Sequence, residues 1–120
     1  MEWMEISPGL WITGYESEAS ADVGGLSASI ERLVASTRGP IAILFDVSGS
    51  VHPFSADVVQ GYLKVLTGHG SSISRIYVAS TNPMVRFAGS AARLVLGSRL
   101  HMFASVGEAI THHEACHRAA

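Results

Sequence analysis

Two spacings of apolar residues alternate along the chain. Glu2 to Ile6 and Leu10-Trp11-Ile12-Thr13-Gly14-Tyr15 hold aromatic and β-branched residues on either side of Ser7-Pro8-Gly9. That pattern predicts two strands joined by a tight turn. After the polar stretch 16–22, Leu26, Ile30, Leu33 and Val34 fall on one helical face, closed by Arg38-Gly39-Pro40. Ile41 to Val47 is a continuous apolar run, as a strand buried on both faces should be, and it leads into Ser48-Gly49-Ser50.

From Phe54 onward Val58, Val59, Tyr62, Leu63 and Leu66 return to helical spacing until Gly68-His69-Gly70 stops it. Ile73 to Ala79 reads as a further buried strand. Pro83 suits the first turn of the next helix, predicted from about Met84 to Leu96 with Phe87, Ala88, Ala91, Leu94 and Val95 inward. Gly89 to Ala92 is thin enough for close packing against a neighbour. Leu100 to Ala104 is a short last strand, and Ser105 caps a final helix with Glu108 placed as in a capping box.

The order β-β-α-β-α-β-α-β-α predicts an α/β domain. An N-terminal β-hairpin precedes alternating elements that form a mostly parallel mixed sheet, with about four helices on its faces and right-handed crossovers. No repeat or long linker divides the chain, so residues 1–120 are expected to form a single domain.

Composition narrows the function classes. The chain is 48% hydrophobic and only 15% charged, against roughly 25% charged in an average domain, which leaves surface suited to a partner or to a second copy, a homodimer. A net charge of −2 gives no overall electrostatic footprint for nucleic acid. The longest apolar run, Ile41 to Phe45, is far short of the ~20 residues of a membrane span, so no transmembrane segment is expected. The lone Cys116 has no disulfide partner in the chain, and Met1-Glu2-Trp3-Met4-Glu5 lacks the basic region of a signal peptide. A cytoplasmic address is the expectation.

The sharpest pattern is His113-Glu114-Ala115-Cys116-His117, an H-E-x-x-H. In zinc hydrolases that spacing puts two histidines on one side of a helix to bind the metal, with the glutamate as general base. A third ligand normally lies downstream, and only Arg118, Ala119 and Ala120 follow. Upstream, His52, His69 and His101 are the alternatives. His113 also continues the stripe of Val106 and Ile110, so the expectation is the tail of an amphipathic helix, with His113 and His117 against the sheet or its rim and with neither metal nor cofactor.

The second candidate is the segment Asp46 to Asp57, beyond the C-terminal end of a central strand, where functional surfaces of α/β sheets lie. Ser48, Ser50, Ser55, Asp46 and Asp57 gather there. Ser55 is placed as an N-cap, with Asp57 in the first turn favouring the helix dipole. Ser55, His52 and Asp57 spell a hydrolase triad only in composition. They lie too close in sequence to converge as one, and no G-x-S-x-G elbow is present.

Ile41 to Gly49, Ile76 to Arg86 and Leu100 to Ile110, in this order of elements, resemble the STAS domain family of sulfate transporters and anti-sigma factor antagonists. The landmarks are a buried strand ending Asp-x-Ser-Gly, an Asn-Pro turn after the next strand, and a Phe-x-Ser-x-x-Glu-Ala entry into the last helix. The resemblance implies a non-enzymatic, bacterial protein-interaction module in a partner-switching pathway, with a kinase or anti-sigma-like protein as partner. It places the family's phosphorylated serine on Ser55, while Phe54, Ala56 and Asp57 stand where the family has Asp, Ser and Gly. The implied partner surface runs from Ser48 to Asp57 and takes in Thr81, Asn82 and Arg86. A sporulation-antagonist-like branch without the serine motif is compared with lipid carriers, which implies an apolar ligand between helices and sheet as the alternative.

Overall fold

The computed structural model describes residues 2–14, 23–47 and 56–119, with side chains for all of these except 23, 56, 58 and 117–119. Ser48, Ser50, His52 and Ser55 lie outside the described residues. The elements are β1 (Met4–Ser7), β2 (Leu10–Gly14), α1 (Val23–Ser36), β3 (Ile41–Asp46), α2 (Ala56–Gly68), β4 (Ile73–Ala79), α3 (Pro83–Leu96), β5 (Leu100–Phe103) and α4 (Val106–Ala119). They follow the predicted order.

The strands form one sheet in the order β1-β2-β3-β4-β5. Among the described strands only the β1–β2 pair is antiparallel. Its turn uses Gly9 at φ 77°, a left-handed conformation that a side chain would strain. The Gly9 carbonyl then accepts from the Ala42 amide at 2.8 Å, which ties the hairpin turn to the start of β3.

Because β2 to β5 are added in sequence, each right-handed crossover returns on the same side of the sheet. Accordingly, α1, α2 and α3 cover one face, over Ile41, Ile43, Phe45, Ile73, Ile76 and Leu100. The other face, with Leu10, Ala42, Leu44, Tyr77 and Ala79, is covered by α4. Trp3 reaches from beside the hairpin to α1, donating from Nε1 to Ser29 Oγ at 3.0 Å and packing edge-on against Phe45.

The predicted inward face of α3 is corrected by the structure. Val85, Gly89, Ala92 and Leu96 are its buried residues. Phe87, Leu94 and Val95 point outward and are 75%, 89% and 57% exposed, and Ala91 is exposed as well. The physical reason is clearance above β5: a Cβ on Gly89 would come within 2.7 Å of Met102 Cε, so a larger residue at that position would have to displace the Met102 side chain. Gly89 and Ala92 let α3 settle on the sheet between Val85 and Leu96, and Phe87, Leu94 and Val95 are left outside.

The two faces should respond oppositely to substitution. Leu94→Gln is expected to change unfolding free energy by less than about 0.5 kcal/mol, whereas Leu96→Ala, at a buried position, should cost about 2–5 kcal/mol, both read from urea denaturation. Gly89→Ala should be stabilising, by up to about 1 kcal/mol, only when Met102 is also changed to Ala. A double-mutant cycle on the same assay checks that coupling.

Candidate functional site

At the C-terminal ends of β3 and β4, three of the sequence-predicted residues share one end of the sheet. Asp46 is paired in register with Ala79, and the Val47 amide donates to the Ala79 carbonyl at 3.1 Å. Immediately beyond, the buried Ser80 donates from its amide to the Phe103 carbonyl at 2.9 Å, and its Oγ accepts from the Asn82 amide at 3.0 Å. Asn82 caps α3, with Oδ1 accepting from the Met84 amide at 2.9 Å. Arg86 folds back so that Nη1 donates to the Ser80 carbonyl at 3.3 Å.

This network fixes the β4–α3 connection while leaving Thr81 and Arg86 exposed. Asp57 is exposed in the first turn of α2. Asp46, Asn82 and Arg86 thus belong to one surface. Asn82 has a further duty that its place in an Asn-Pro dipeptide signals, since its side chain is engaged as a helix cap.

Beneath α2 and α3 lies an apolar cleft with a cavity volume of ≈ 90 Å³, walled by Phe45, Tyr62, Val78, Val85, Gly89 and Met102 among others. Engineered cavities of about 150 Å³ admit a benzene-sized molecule. This one holds less.

The H-E-x-x-H segment sits at the other end of the sheet. His113 is 5% exposed, and its Nε2 lies 2.8 Å from the Pro8 carbonyl oxygen. A carbonyl can only accept, so Nε2 carries the proton and is committed to the hairpin turn rather than to a metal. Ser7 Oγ is 3.5 Å from Glu114 Oε1, a second, longer contact to the same turn. The His117 side chain lies outside the described residues. Among the described residues no three His, Cys, Asp or Glu side chains are grouped to hold a metal ion.

A different histidine pair is one that the sequence pattern did not single out. His101 on β5 faces His112 on α4, with ring centroids 4.7 Å apart, and both pack around the buried Tyr77 together with Phe103. His112 Nε2 is also 3.5 Å from Cys116 Sγ, one helical turn on. The pairing crosses from strand to helix: the register sets His101 beside Tyr77, and α4 brings His112 onto the same pair of rings. Burial lowers the His101 pKa first, and the neighbouring His112, Arg93 and Arg75 lower it further. Burial raises the Tyr77 pKa, against a smaller opposing pull from Arg75.

What these observations define is a small α/β domain with a polar surface at the C-terminal strand ends, α1, α2 and α3 over one face of its sheet and α4 over the other. That arrangement is the SpoIIAA-like fold, the fold of STAS domains and anti-sigma factor antagonists. The structure is similar to the crystal structure of an uncharacterized protein of the DUF3478 family with a SpoIIAA-like fold from Shewanella loihica PV-4, with a TM-score of 0.59 and 17% identity. The match covers 85% of this chain and 80% of that one. No protein-family model and no curated protein matches the sequence. No helix among the described residues is long and apolar enough to cross a membrane.

His113→Ala should lower unfolding free energy by about 1–3 kcal/mol, because it removes a buried ring together with its hydrogen bond to the Pro8 carbonyl. Metal content of tag-free protein, measured alongside, should be unchanged by the substitution. For His101 the folded protein resists a proton that the unfolded chain accepts at the ordinary histidine pKa of about 6.5. The resulting stability is present above that value and is lost as pH falls through the lowered one. The melting temperature should therefore fall on acidification through this range, and less so in His101→Phe.

Proposed function

We propose that the chain is a non-enzymatic protein-interaction module of a bacterial regulatory pathway, working in the cytoplasm. Its partner surface comprises Asp46, Asp57, Asn82 and Arg86, together with Ser48, Ser50 and Ser55 of the intervening segment. The observation that supports this reading best is the shared position of Asp46, Asn82 and Arg86 at the C-terminal ends of β3 and β4. That end is also where ligands and partners meet open α/β sheets.

Ser55 is the proposed control point. A phosphate there would bring a charge of about −1.5 to −2 to the start of α2, favourable to the helix dipole and repulsive to an acidic partner. The kinase and the partner would then be successive occupants of one surface.

A second reading, a carrier of a small apolar ligand, draws on the apolar cleft under α2 and α3. Its size admits only a few carbon atoms in this state, so a longer chain requires α3 to lift from Met102. Native mass spectrometry of freshly purified protein checks this, and an absence of any co-purified apolar molecule would remove it.

For the leading reading, affinity capture from the native cell is expected to recover a protein with the wild type and with Ser55→Ala, and to lose it with Ser55→Asp. Incubation with that cell's kinase fraction should add phosphate at Ser55, located by peptide mass spectrometry. An unmodified Ser55 together with identical capture by all three forms would dispose of the switch.

A further inference from the structure

The outward side of α3 is a continuous apolar ridge. Met84, Phe87 and Leu94 are 61%, 75% and 89% exposed, and Val95 widens the ridge at its end. Met84, Phe87, Ala91 and Leu94 follow a three-four-three spacing, the spacing by which one helix meets another along a seam of about 15 Å. These are not displaced core residues. The inner face of α3 is already filled by Val85, Gly89, Ala92 and Leu96.

Charge accompanies the ridge. Arg86 and Arg93 are exposed along one flank, two turns apart, and α3 contains no acidic residue. The bias extends beyond the helix. Between Asp57 and Glu108 the sequence has no Asp or Glu, and it carries Lys64, Arg75, Arg86, Arg93 and Arg99. A chain that is slightly acidic in total thus presents α3 as an apolar seam with a cationic margin, its nearest acids in the fold being Asp46 and Asp57 toward the helix's N-terminal end.

We propose that this ridge is the docking seam for an amphipathic helix of a partner protein that carries Asp or Glu beside its own apolar stripe. The proposal names the partner's chemistry for the interaction module above and rests on that reading. A carboxylate on the partner meets Arg86 or Arg93 at the rim, while its apolar residues cover Phe87 and Leu94 at the centre, where truncation costs binding most. A second copy of this chain fits less well, because its α3 brings two more arginines and no acid. A bilayer fits less well too, since surface-lying helices present a polar face rich in Lys and Arg to water. Here the face opposite the ridge is packed into the domain.

The probe is a synthetic helical peptide with leucine at seam positions and glutamate beside them, compared with the same peptide carrying lysine instead. Fluorescence anisotropy should show binding of the glutamate peptide, weakened about tenfold by Leu94→Glu and about threefold by Arg93→Glu, with little binding of the lysine peptide. Both variants alter exposed side chains, and unchanged circular dichroism and melting temperature confirm folding. Equal binding of the two peptides, no binding of either, or indifference to Leu94→Glu overturns the proposal. So does a wild-type dimer in sedimentation that Leu94→Glu dissociates, or binding to phosphatidylserine–phosphatidylcholine vesicles that Leu94→Glu abolishes. If the partner captured through the Ser55 surface is retained by Leu94→Glu, the seam fails while the interaction module stands. If capture is identical with wild type, Ser55→Ala and Ser55→Asp yet the glutamate peptide binds as expected, the Ser55 switch fails and the seam stands.

Discussion

The structure depends on the burial of β3 from both sides. Ile41, Ala42, Ile43, Leu44 and Phe45 are all buried, with odd-numbered residues toward α1, α2 and α3 and even-numbered ones toward α4. A strand of this kind is stable only when helices cover both faces. Its parallel neighbours β2 and β4 extend that demand across the sheet. The handedness of the crossovers then decides the distribution: among the described residues, α1, α2 and α3 lie on one face and the last helix on the other.

That distribution separates two tasks between the two ends of the sheet. At the N-terminal ends of the parallel strands, polar groups serve closure: His113 reaches the Pro8 carbonyl and the Gly9 carbonyl holds Ala42. At the C-terminal ends the backbone groups of the β4–α3 connection are satisfied locally by Ser80, Asn82 and Arg86. Exposed side chains at that end are consequently free of structural duty in varying degree. Arg86 and Asn82 carry some of it, and Asp57 stands open to solvent.

The strands were legible because each is a short apolar or β-branched run between strong breakers, and β4 occupies the predicted Ile73 to Ala79. Helix α3 was legible as a helix and misread in orientation. Apolar residues lie all round it, so periodicity alone does not choose a face, and larger side chains draw the choice toward themselves. The deciding fact, the closeness of Met102 to Gly89, is a contact between distant parts of the chain. The same holds for His101 and His112, which meet only because β5 and α4 share a face. At the candidate site, that Asp46, Asn82 and Arg86 lie at one end of the sheet followed from their place after parallel strands. The capping duty of Asn82 was visible locally, whereas the return of Arg86 to Ser80 was not. Ser48, Ser50 and Ser55 fall outside the described residues.

The lone position of α4 bears on how the molecule opens. Three helices brace one another over one face, with α1 against α2 and α2 against α3. Among the described residues the last helix has no helical neighbour on its side, and it holds to the sheet through Ala109, Ile110 and His113. In the language of cooperative units, α4 can detach without breaking the packing of α1, α2 and α3 on one another, so its amides should exchange through partial opening while β3 and β4 exchange only on global unfolding. Each such opening bares Leu44 and Tyr77, a flat apolar sheet face. The contact between one imidazole and one turn carbonyl thus helps set how often the chain presents a surface prone to aggregation.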